Sequence, residues 1–242
     1  MACRFRAFLA PVEEKKSALE QADRFFDAVI AAGMVLVRDW QGSEEDFVAL
    51  GRRFGTLEKA SPRDTRHGGQ LFRVKSRPED KTAIGRYWHA DGFAGTAVPA
   101  MMTIYHVVQG ASPESGTAYI DGCEAWTRIT PILRELLSER SWMHQSGSTH
   151  PFVLAHRLFG WPALSVNLGK VAAIPGMDQA ETDKTLLELD RELSTVPRYV
   201  HGWLPGDILF VDNRRMLHRA PDRVWSERLL WRTSVISHSE LR

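Results

Sequence analysis

Apolar residues near the N-terminus recur at helical spacing and then give way to a short unbroken run. Between residues 12 and 32 they return every three or four positions, and Gly33 stands where a helix C-cap belongs. This pattern predicts an amphipathic helix over 12–32. Residues 34–37 are all apolar, which predicts a buried strand. Ser43, followed by acidic residues, predicts the start of a second helix that ends near Gly55.

The rest of the chain is predicted to be rich in strands. The polar segment 56–86 predicts a long functional loop that contains one strand at 70–74. No internal repeat or linker divides the chain, so we expect one domain over residues 1–242, with a β-rich core and helices packed outside it. The further predicted strands are 100–108, 117–120, 163–167, 171–174, 207–211 and 228–237, and the further predicted helices are 124–128, 131–138 and 178–193.

Composition and charge narrow the functional class. The 242 residues include 31 Lys and Arg against 30 Asp and Glu, without a basic block, which excludes non-specific nucleic-acid binding as the main role. No apolar run approaches about 18 residues, so we expect no membrane-spanning helix. Charged residues at 13–16 interrupt any signal-peptide core. Two cysteines make no disulfide framework, so we expect a reducing, cytoplasmic setting.

The first candidate for chemistry is the segment Tyr87-Trp88-His89-Ala90-Asp91. If this segment is a strand, His89 and Asp91 share a face, because alternate side chains of a strand point the same way. An imidazole and a carboxylate placed in this way can bind one metal ion. An HxD triplet alone is also compatible with a surface His–Asp pair.

A second histidine, His218, follows a turn, an apolar strand and a polar turn near the C-terminus. Two histidines and one carboxylate on one face of an iron ion leave three positions for a co-substrate and O₂, as in non-haem Fe(II) oxygenases. The sequence therefore favours an iron site formed by His89, Asp91 and His218. Zinc is the alternative metal, because the same ligand set suits catalytic zinc.

Two arginines, Arg228 and Arg232, lie in the apolar C-terminal strand 228–237. Residues four apart in a strand share a face. Two arginines on a buried face beside a metal are costly unless an anion meets them, and a guanidinium holds a carboxylate in fixed geometry. The alternative is an edge strand with two solvated arginines.

The order HxD, GT, GDxxxxDNxxxxH and RxxxR resembles the taurine dioxygenase/2,4-dichlorophenoxyacetate dioxygenase (TauD/TfdA) family of Fe(II)- and 2-oxoglutarate-dependent oxygenases. The resemblance covers most of the chain. It implies a β-rich α+β fold, with a double-stranded β-helix (jelly-roll) core and flanking helices. The sequence departs from the family in its short length and in Ser115-Gly116, which replaces a double glycine.

The resemblance assigns the iron ligands to His89, Asp91 and His218, and it implies Fe(II), 2-oxoglutarate and O₂ as cofactor and co-substrates. It implies that Arg228 and Thr117 bind the distal carboxylate of 2-oxoglutarate. Arg232 is the other arginine that is a candidate for this role.

The arginine that does not hold 2-oxoglutarate needs another anion. We expect Arg232 to bind an anionic group of the substrate, in a pocket that Trp88, Phe93, Arg66 and His67 help to line. The alternative is that Arg232 pairs with an acidic neighbour. The candidates for that neighbour are Asp222 and Glu227.

The reaction implied is hydroxylation of a small anionic substrate, such as an amino acid, carboxylate or sulfonate, with release of succinate and CO₂. Desaturation or cyclisation by the same cofactor chemistry is an alternative. A catalytically silent small-molecule sensor and a zinc hydrolase of cupin-like shape are alternatives from other classes. The expected partner is a small molecule, without nucleic acid or membrane, and the sequence leaves a homo-oligomer open.

Overall fold

The computed structural model describes residues 8–9, 22–59, 66–79, 85–94, 99–110, 116–156, 159–221 and 227–237. In this part of the chain the helices are α1 (Ala22–Ala32), α2 (Glu44–Phe54), α3 (Gly122–Arg128), α4 (Pro131–Ser138) and α5 (Gln179–Leu193). The strands are β1 (Phe8–Leu9), β2 (Met34–Val37), β3 (Thr56–Leu57), β4 (Phe72–Ser76), β5 (Met102–Gln109), β6 (Thr117–Asp121), β7 (Ser141–His144), β8 (Thr149–Pro151), β9 (Val153–Ala155), β10 (Pro162–Leu164), β11 (Val171–Ala173), β12 (Tyr199–His201), β13 (Ile208–Asp212), β14 (Met216–Arg219) and β15 (Arg228–Ser237).

A large sheet and a smaller sheet carry the strands that surround the site. The large sheet has the order β1-β2-β13-β5-β15-β3, and β4 also pairs with β15. Its pairings are antiparallel except that of β1 with β2. The smaller sheet, β12-β6-β14, is antiparallel throughout. Two further groups, β11-β7-β8 and β10-β9, extend the structure beside it.

Alternation along the strands sends neighbouring side chains of the large sheet into two different cores. Phe210 of β13 packs in a cluster with Phe47 of α2, whereas the adjacent Leu209 packs in a cluster with Tyr119 and Trp203. Helices α1 and α2 therefore cover one face of the large sheet, and the smaller sheet covers the other. These facing sheets with outer helices confirm the predicted jelly-roll.

Helix α2 begins where its sequence predicts. The hydroxyl of Ser43 accepts a hydrogen bond from the backbone N–H of Asp46 at 3.1 Å, and the Asp46 carboxylate accepts one from the Ser43 N–H at 2.9 Å. This capping box satisfies two backbone donors that the first turn leaves unpaired. Phe47, Leu50 and Phe54 then lie buried on the face that packs on the sheet.

The helices and the strands β2, β6, β11 and β15 are where the sequence predicts them, whereas several of the shortest strands are not predicted. The bounds of α4 and β15 agree with the predicted 131–138 and 228–237. The strand predicted at 70–74 is β4, Phe72–Ser76. The short strands β7, β8, β9 and β12 have no pattern long enough to show periodicity. The N-terminal part of the helix predicted at 12–32 lies outside the described residues. Within those residues, no helix has the length and apolar character needed to cross a lipid bilayer.

Candidate active site

The backbone of His89 is tied to that of His218. The His89 N–H donates to the His218 carbonyl oxygen at 2.9 Å, and the His218 N–H donates to the His89 carbonyl oxygen at 2.8 Å. A second isolated bridge joins His89 to Asn167. The segment around His89 is therefore not a continuous strand, and that prediction is wrong. The position of this segment comes from its pairing with β14, which brings together two histidines that are 129 positions apart in the sequence.

Asn213, in the turn between β13 and β14, fixes the backbone of Asp91. Its side-chain oxygen accepts from the Asp91 N–H at 2.8 Å, and its side-chain nitrogen donates to the carbonyl oxygens of Asp91 and Ala100, both at 2.9 Å. Asn213 is buried, so these three bonds do not compete with water. The turn that precedes His218 thus also positions Asp91.

The donor atoms of His89, Asp91 and His218 all lie within 4.8 Å of one another, and no other such His, Cys, Asp or Glu cluster occurs among the described residues. His89 Nδ1 is 2.7 Å from the carbonyl oxygen of Tyr87. Because a carbonyl only accepts, Nδ1 carries the proton and Nε2 keeps a lone pair for a metal. Two imidazoles and a carboxylate fit the ligand set of a non-haem Fe(II) site.

The pKa values of the three side chains favour metal binding. Burial lowers the pKa of His218 to about 3 and also lowers the pKa of His89, so both imidazoles are neutral near pH 7. Burial alone raises the pKa of Asp91. The charge of Arg232, the charges that the two histidines carry when they are protonated at low pH, and a hydrogen bond from Tyr105 outweigh burial and hold that pKa well below its usual range. Neutral imidazoles and an ionised carboxylate are the forms that coordinate a metal.

Both carboxylate oxygens of Asp91 have a donor. Arg232 donates from a guanidinium nitrogen to Oδ1 at 2.8 Å. The Tyr105 hydroxyl donates to Oδ2 at 2.5 Å and lies 3.2 Å from His218 Nε2. Burial, followed by the charge of Asp91, raises the pKa of Tyr105 well above its usual value, so the phenol keeps its proton. Arg232 and Tyr105 therefore orient the carboxylate as outer-shell partners orient metal ligands.

An inner cavity of about 80 Å³ lies between the sheets, beside the three candidate ligands. Arg228, Thr117, Tyr119 and Trp203 line it. The indole N–H of Trp203 donates to the Thr117 hydroxyl oxygen at 2.9 Å, which leaves the hydroxyl proton of Thr117 to be donated elsewhere. Arg228 is only 4% exposed. The cavity thus offers a guanidinium and a hydroxyl to an anion near the metal site.

An outer cavity of about 680 Å³ is also lined by two of the candidate ligands, His89 and Asp91. The two cavities share five lining residues, namely Phe72, Gly85, His89, Asp91 and Arg232. Arg86 and Lys170 lie at the exposed part of the outer cavity, together with Tyr87, Asn167 and Gly169. Asp91 is the acidic residue in its lining, against the cationic Arg86, Lys170 and Arg232. Within the part of the chain described, the outer cavity is therefore predominantly cationic.

The structure does not bring all predicted substrate residues to this cavity. Trp88 and Phe93 are buried in an apolar cluster, and neither lines the inner or the outer cavity. His67 Nε2 lies 3.4 Å from a carboxylate oxygen of Glu44 on α2, outside both cavities. The side chain of Arg66 lies outside what the structure describes.

The acidic partner of Arg232 is not one of the two that the sequence suggested. Glu227 faces Arg77, with 3.8 Å between the nearest charged atoms. Asp222 falls outside the described residues. Arg232 does pair with an acidic residue, but that residue is Asp91, a predicted metal ligand.

Several residues that shape the site carry no local signal of their role. Tyr105 and Tyr119 occupy apolar positions of predicted strands. Only the folded structure shows that the Tyr105 hydroxyl binds Asp91 and that Tyr119 lines the inner cavity. Arg86 and Lys170 read as surface charges. Asn213 belongs to the Asp-Asn pair of the GDxxxxDNxxxxH motif, so its place in that motif could have indicated a role at the site.

Comparison with known proteins gives relatives over most of the chain. An (S)-phenoxypropionate/alpha-ketoglutarate-dioxygenase from Sphingobium herbicidovorans is 28% identical, with 84% of this chain and 81% of that protein covered. An alpha-ketoglutarate-dependent sulfonate dioxygenase from Saccharomyces cerevisiae is 25% identical, with 79% of this chain and 54% of that protein covered.

Solved structures share the fold. A taurine dioxygenase from Burkholderia xenovorans superposes with a TM-score of 0.73 at 21% identity, covering 95% of this chain and 87% of that one. AAD-2 in complex with Mn(II) and N-oxalylglycine superposes with a TM-score of 0.77 at 18% identity, covering 98% of this chain and 99% of that one.

The profile described as "Taurine catabolism dioxygenase TauD, TfdA family" matches residues 10–234. That match spans both halves of the His-Asp-His cluster and nearly the whole fold. The chain therefore belongs to the TauD/TfdA family of non-haem Fe(II)- and 2-oxoglutarate-dependent dioxygenases.

Proposed function

We propose that this dioxygenase hydroxylates a small anionic substrate, such as an amino acid, a carboxylate or a sulfonate, and releases succinate and CO₂. One observation carries the proposal: two cavities with cationic linings meet at the His89, Asp91 and His218 cluster. The inner cavity is narrow and lies between the sheets, whereas the outer cavity is wide and open. One anion, 2-oxoglutarate, belongs in the first, and the anionic substrate belongs in the second.

The ligand cluster would hold iron through His89 Nε2, the Asp91 carboxylate and an imidazole nitrogen of His218. When bound, Fe(II) supplies the activation of O₂ that couples oxidation of 2-oxoglutarate to oxidation of a substrate C–H bond. The protein's part is to hold the ligands in order. Asn213 fixes the Asp91 backbone, and Arg232 and Tyr105 fix its two oxygens.

The distal carboxylate of 2-oxoglutarate is assigned to Arg228 and Thr117. Burial lowers the pKa of Arg228, but from so high a starting value that the guanidinium stays charged near pH 7. A buried guanidinium gains most from a fully paired carboxylate, because its own desolvation is costly. Since Trp203 already donates to Thr117, the Thr117 hydroxyl is oriented as a donor toward the ligand.

The outer cavity supports an anionic substrate. Arg86 donates to the Tyr87 hydroxyl at 3.2 Å, and Lys170 donates to the Gln145 side-chain oxygen at 3.4 Å. Neither cation has a carboxylate partner among the described residues. A negatively charged substrate would be attracted to this uncompensated charge and oriented by it. The relatives named for phenoxypropionate and for sulfonates are consistent with a small acid.

Arg232 lies between the two cavities. One of its terminal nitrogens binds Asp91, while its Nε has no hydrogen-bond partner among the described residues. This leaves the guanidinium able to meet an anionic group of the substrate while it orients the metal ligand. The setting proposed for this reaction is the cytoplasm, since two cysteines make no disulfide framework.

Substrate-dependent succinate formation tests the proposal. Purified protein with Fe(II), 2-oxoglutarate and O₂ is screened against amino acids, carboxylates and sulfonates, each beside its neutral amide or ester. We expect at least one acid to raise succinate release above the substrate-free rate and its neutral derivative to fail. If the best substrate is a neutral compound, the proposal of an anionic substrate is wrong. The H218A variant, which we expect to be inactive, gives the background rate of succinate release.

A further inference from the structure

The hydroxyl of Tyr119 points to an additional contact for the co-substrate. Tyr119 lies on β6 two residues after Thr117, so both side chains lie on one face of the strand. Its side chain is 0% exposed, and its hydroxyl has no hydrogen-bond partner among the described residues. Its ring stacks on that of His218, with 5.6 Å between the centroids. The phenol is therefore held rigidly with its polar atom unpaired.

A buried hydroxyl without a partner is costly, and native proteins rarely leave one so unless a ligand completes it. Tyr119 lines the inner cavity and not the outer one. Arg228 and Thr117 line the same cavity, and Thr117 lies two residues before Tyr119 on the same strand, with a hydroxyl that Trp203 orients as a donor. A carboxylate bound beside Arg228 would bring acceptor atoms for both hydroxyls.

We propose that the Tyr119 hydroxyl donates a hydrogen bond to the distal carboxylate of 2-oxoglutarate, beside Arg228 and Thr117. The proposal rests on the assignment of the inner cavity to 2-oxoglutarate. A carboxylate has about four acceptor sites on its two oxygens, enough for a guanidinium and two hydroxyls. The phenol is a donor at neutral pH, because a tyrosine hydroxyl keeps its proton there.

The test is the binding of 2-oxoglutarate to the Tyr119→Phe protein, loaded with Mn(II) and free of O₂, followed by calorimetry. The substitution keeps the ring and its contact with His218 and removes only the hydroxyl. We expect the Kd of 2-oxoglutarate to rise about 10-fold, as for the loss of one hydrogen bond to a charged group. Affinity for Mn(II) should not change.

A co-substrate analogue without the distal carboxylate shows which end of 2-oxoglutarate the Tyr119 hydroxyl contacts. 2-Oxopentanoate keeps the keto acid but lacks the distal carboxylate, so its Kd should be the same for wild type and Tyr119→Phe. An equal loss for both ligands would place the hydroxyl at the metal-proximal end and overturn the proposal. A 2-oxoglutarate Kd within twofold of wild type would also overturn it.

Tyr199→Phe is the matched control. That hydroxyl lies 3.0 Å from His201 Nδ1 and lines neither cavity, so its removal should leave the 2-oxoglutarate Kd unchanged. Thermal unfolding without 2-oxoglutarate checks the fold. Because the Tyr119 hydroxyl is unpaired in the free protein, Tyr119→Phe should unfold at the wild-type temperature or above it. If wild type itself does not bind 2-oxoglutarate, the proposed function fails together with this one; normal wild-type binding confines any failure to Tyr119.

Discussion

Arg232 and Asp91 form an ion pair of 2.8 Å between the long C-terminal strand and the segment that carries two of the candidate metal ligands. The side chain of Arg232 also lies over the ring of Phe72, with 4.8 Å from the guanidinium carbon to the ring centroid. An arginine that the sequence indicates as an anion anchor is thus attached to the carboxylate of the candidate metal triad. It links the metal ligand to both cavities.

Replacement of Arg232 should weaken metal binding as well as substrate binding. In Arg232→Gln, the Asp91 carboxylate loses its cationic partner, and loss of an outer-shell partner of this kind costs about 10- to 100-fold in metal affinity. Mn(II) affinity, measured by competition with a chelator, reports the effect. Arg228→Gln is the control, since it removes an arginine from the same strand but leaves the Arg232–Asp91 ion pair in place, so this variant should bind Mn(II) normally. Unchanged Mn(II) affinity in Arg232→Gln would show that the ion pair does not support the metal site.

Arg228 should control the affinity for 2-oxoglutarate. In Arg228→Ala, the buried carboxylate loses its charged partner, which we expect to cost about 2–4 kcal/mol, or roughly 30- to 1000-fold in Kd. The Kd of 2-oxoglutarate in oxygen-free, Mn(II)-loaded protein is the measurement. If Arg228→Ala binds 2-oxoglutarate normally while Arg232→Ala does not, the roles of the two arginines must be exchanged.

Asn213 should matter for both stability and metal affinity. Asn213→Ala removes three buried hydrogen bonds that hold the backbone at Asp91 and Ala100. We expect a loss of about 2–4 kcal/mol in the free energy of unfolding, from chemical denaturation, and a weaker Mn(II) site. Asn213→Asp keeps the acceptor oxygen but turns a second carboxylate oxygen toward the carbonyl oxygens of Asp91 and Ala100, so it should lose at least as much stability as Asn213→Ala. A variant with wild-type Mn(II) affinity would contradict the positioning role.

The metal-free protein should lose stability below neutral pH, in part through His218. Burial lowers the pKa of His218 to about 3, whereas an unfolded histidine titrates near 6.5, so the unfolded chain binds the extra proton between these values. Stability from this group is complete above about pH 6.5 and declines as the pH falls toward 3. His218→Gln should therefore lose less unfolding free energy between pH 7.5 and pH 5 than wild type, measured in chelator. A His218→Gln variant that loses as much unfolding free energy as wild type over this pH range would contradict the contribution of His218.

Arg86 and Lys170 should affect the substrate and not the co-substrate. In Arg86→Gln and Lys170→Gln, the KM of an acidic substrate should rise several-fold, because exposed charges contribute only about 0.2–1 kcal/mol each. The KM should also become less sensitive to salt. The Kd of 2-oxoglutarate should remain unchanged, as neither residue lines the inner cavity. Substrate KM values equal to wild type in the double variant would place the substrate's anionic group elsewhere.

The sequence by itself determined the elements and the ligand types of this protein. Local periodicity and capping specify α2 and α4, because the interactions that form them join residues three or four positions apart. The uninterrupted apolar run of β2 and the length of β15 identify those strands. The HxD spacing and the later His218 predict imidazole and carboxylate ligands, since metal chemistry restricts the residue types that can serve.

Only the tertiary structure decided how those ligands are held and what surrounds them. The bonds from Asn213 and Arg232 to the Asp91 residue span 122 and 141 positions of the chain, so no local pattern encodes them. Trp88 and Phe93, next to the ligands in sequence, turn into the apolar core instead. Burial between two sheets removes water from the hydroxyls of Tyr105 and Tyr119, so their hydrogen bonding depends on the few polar groups beside them. That environment exists only once strands distant in sequence have packed together.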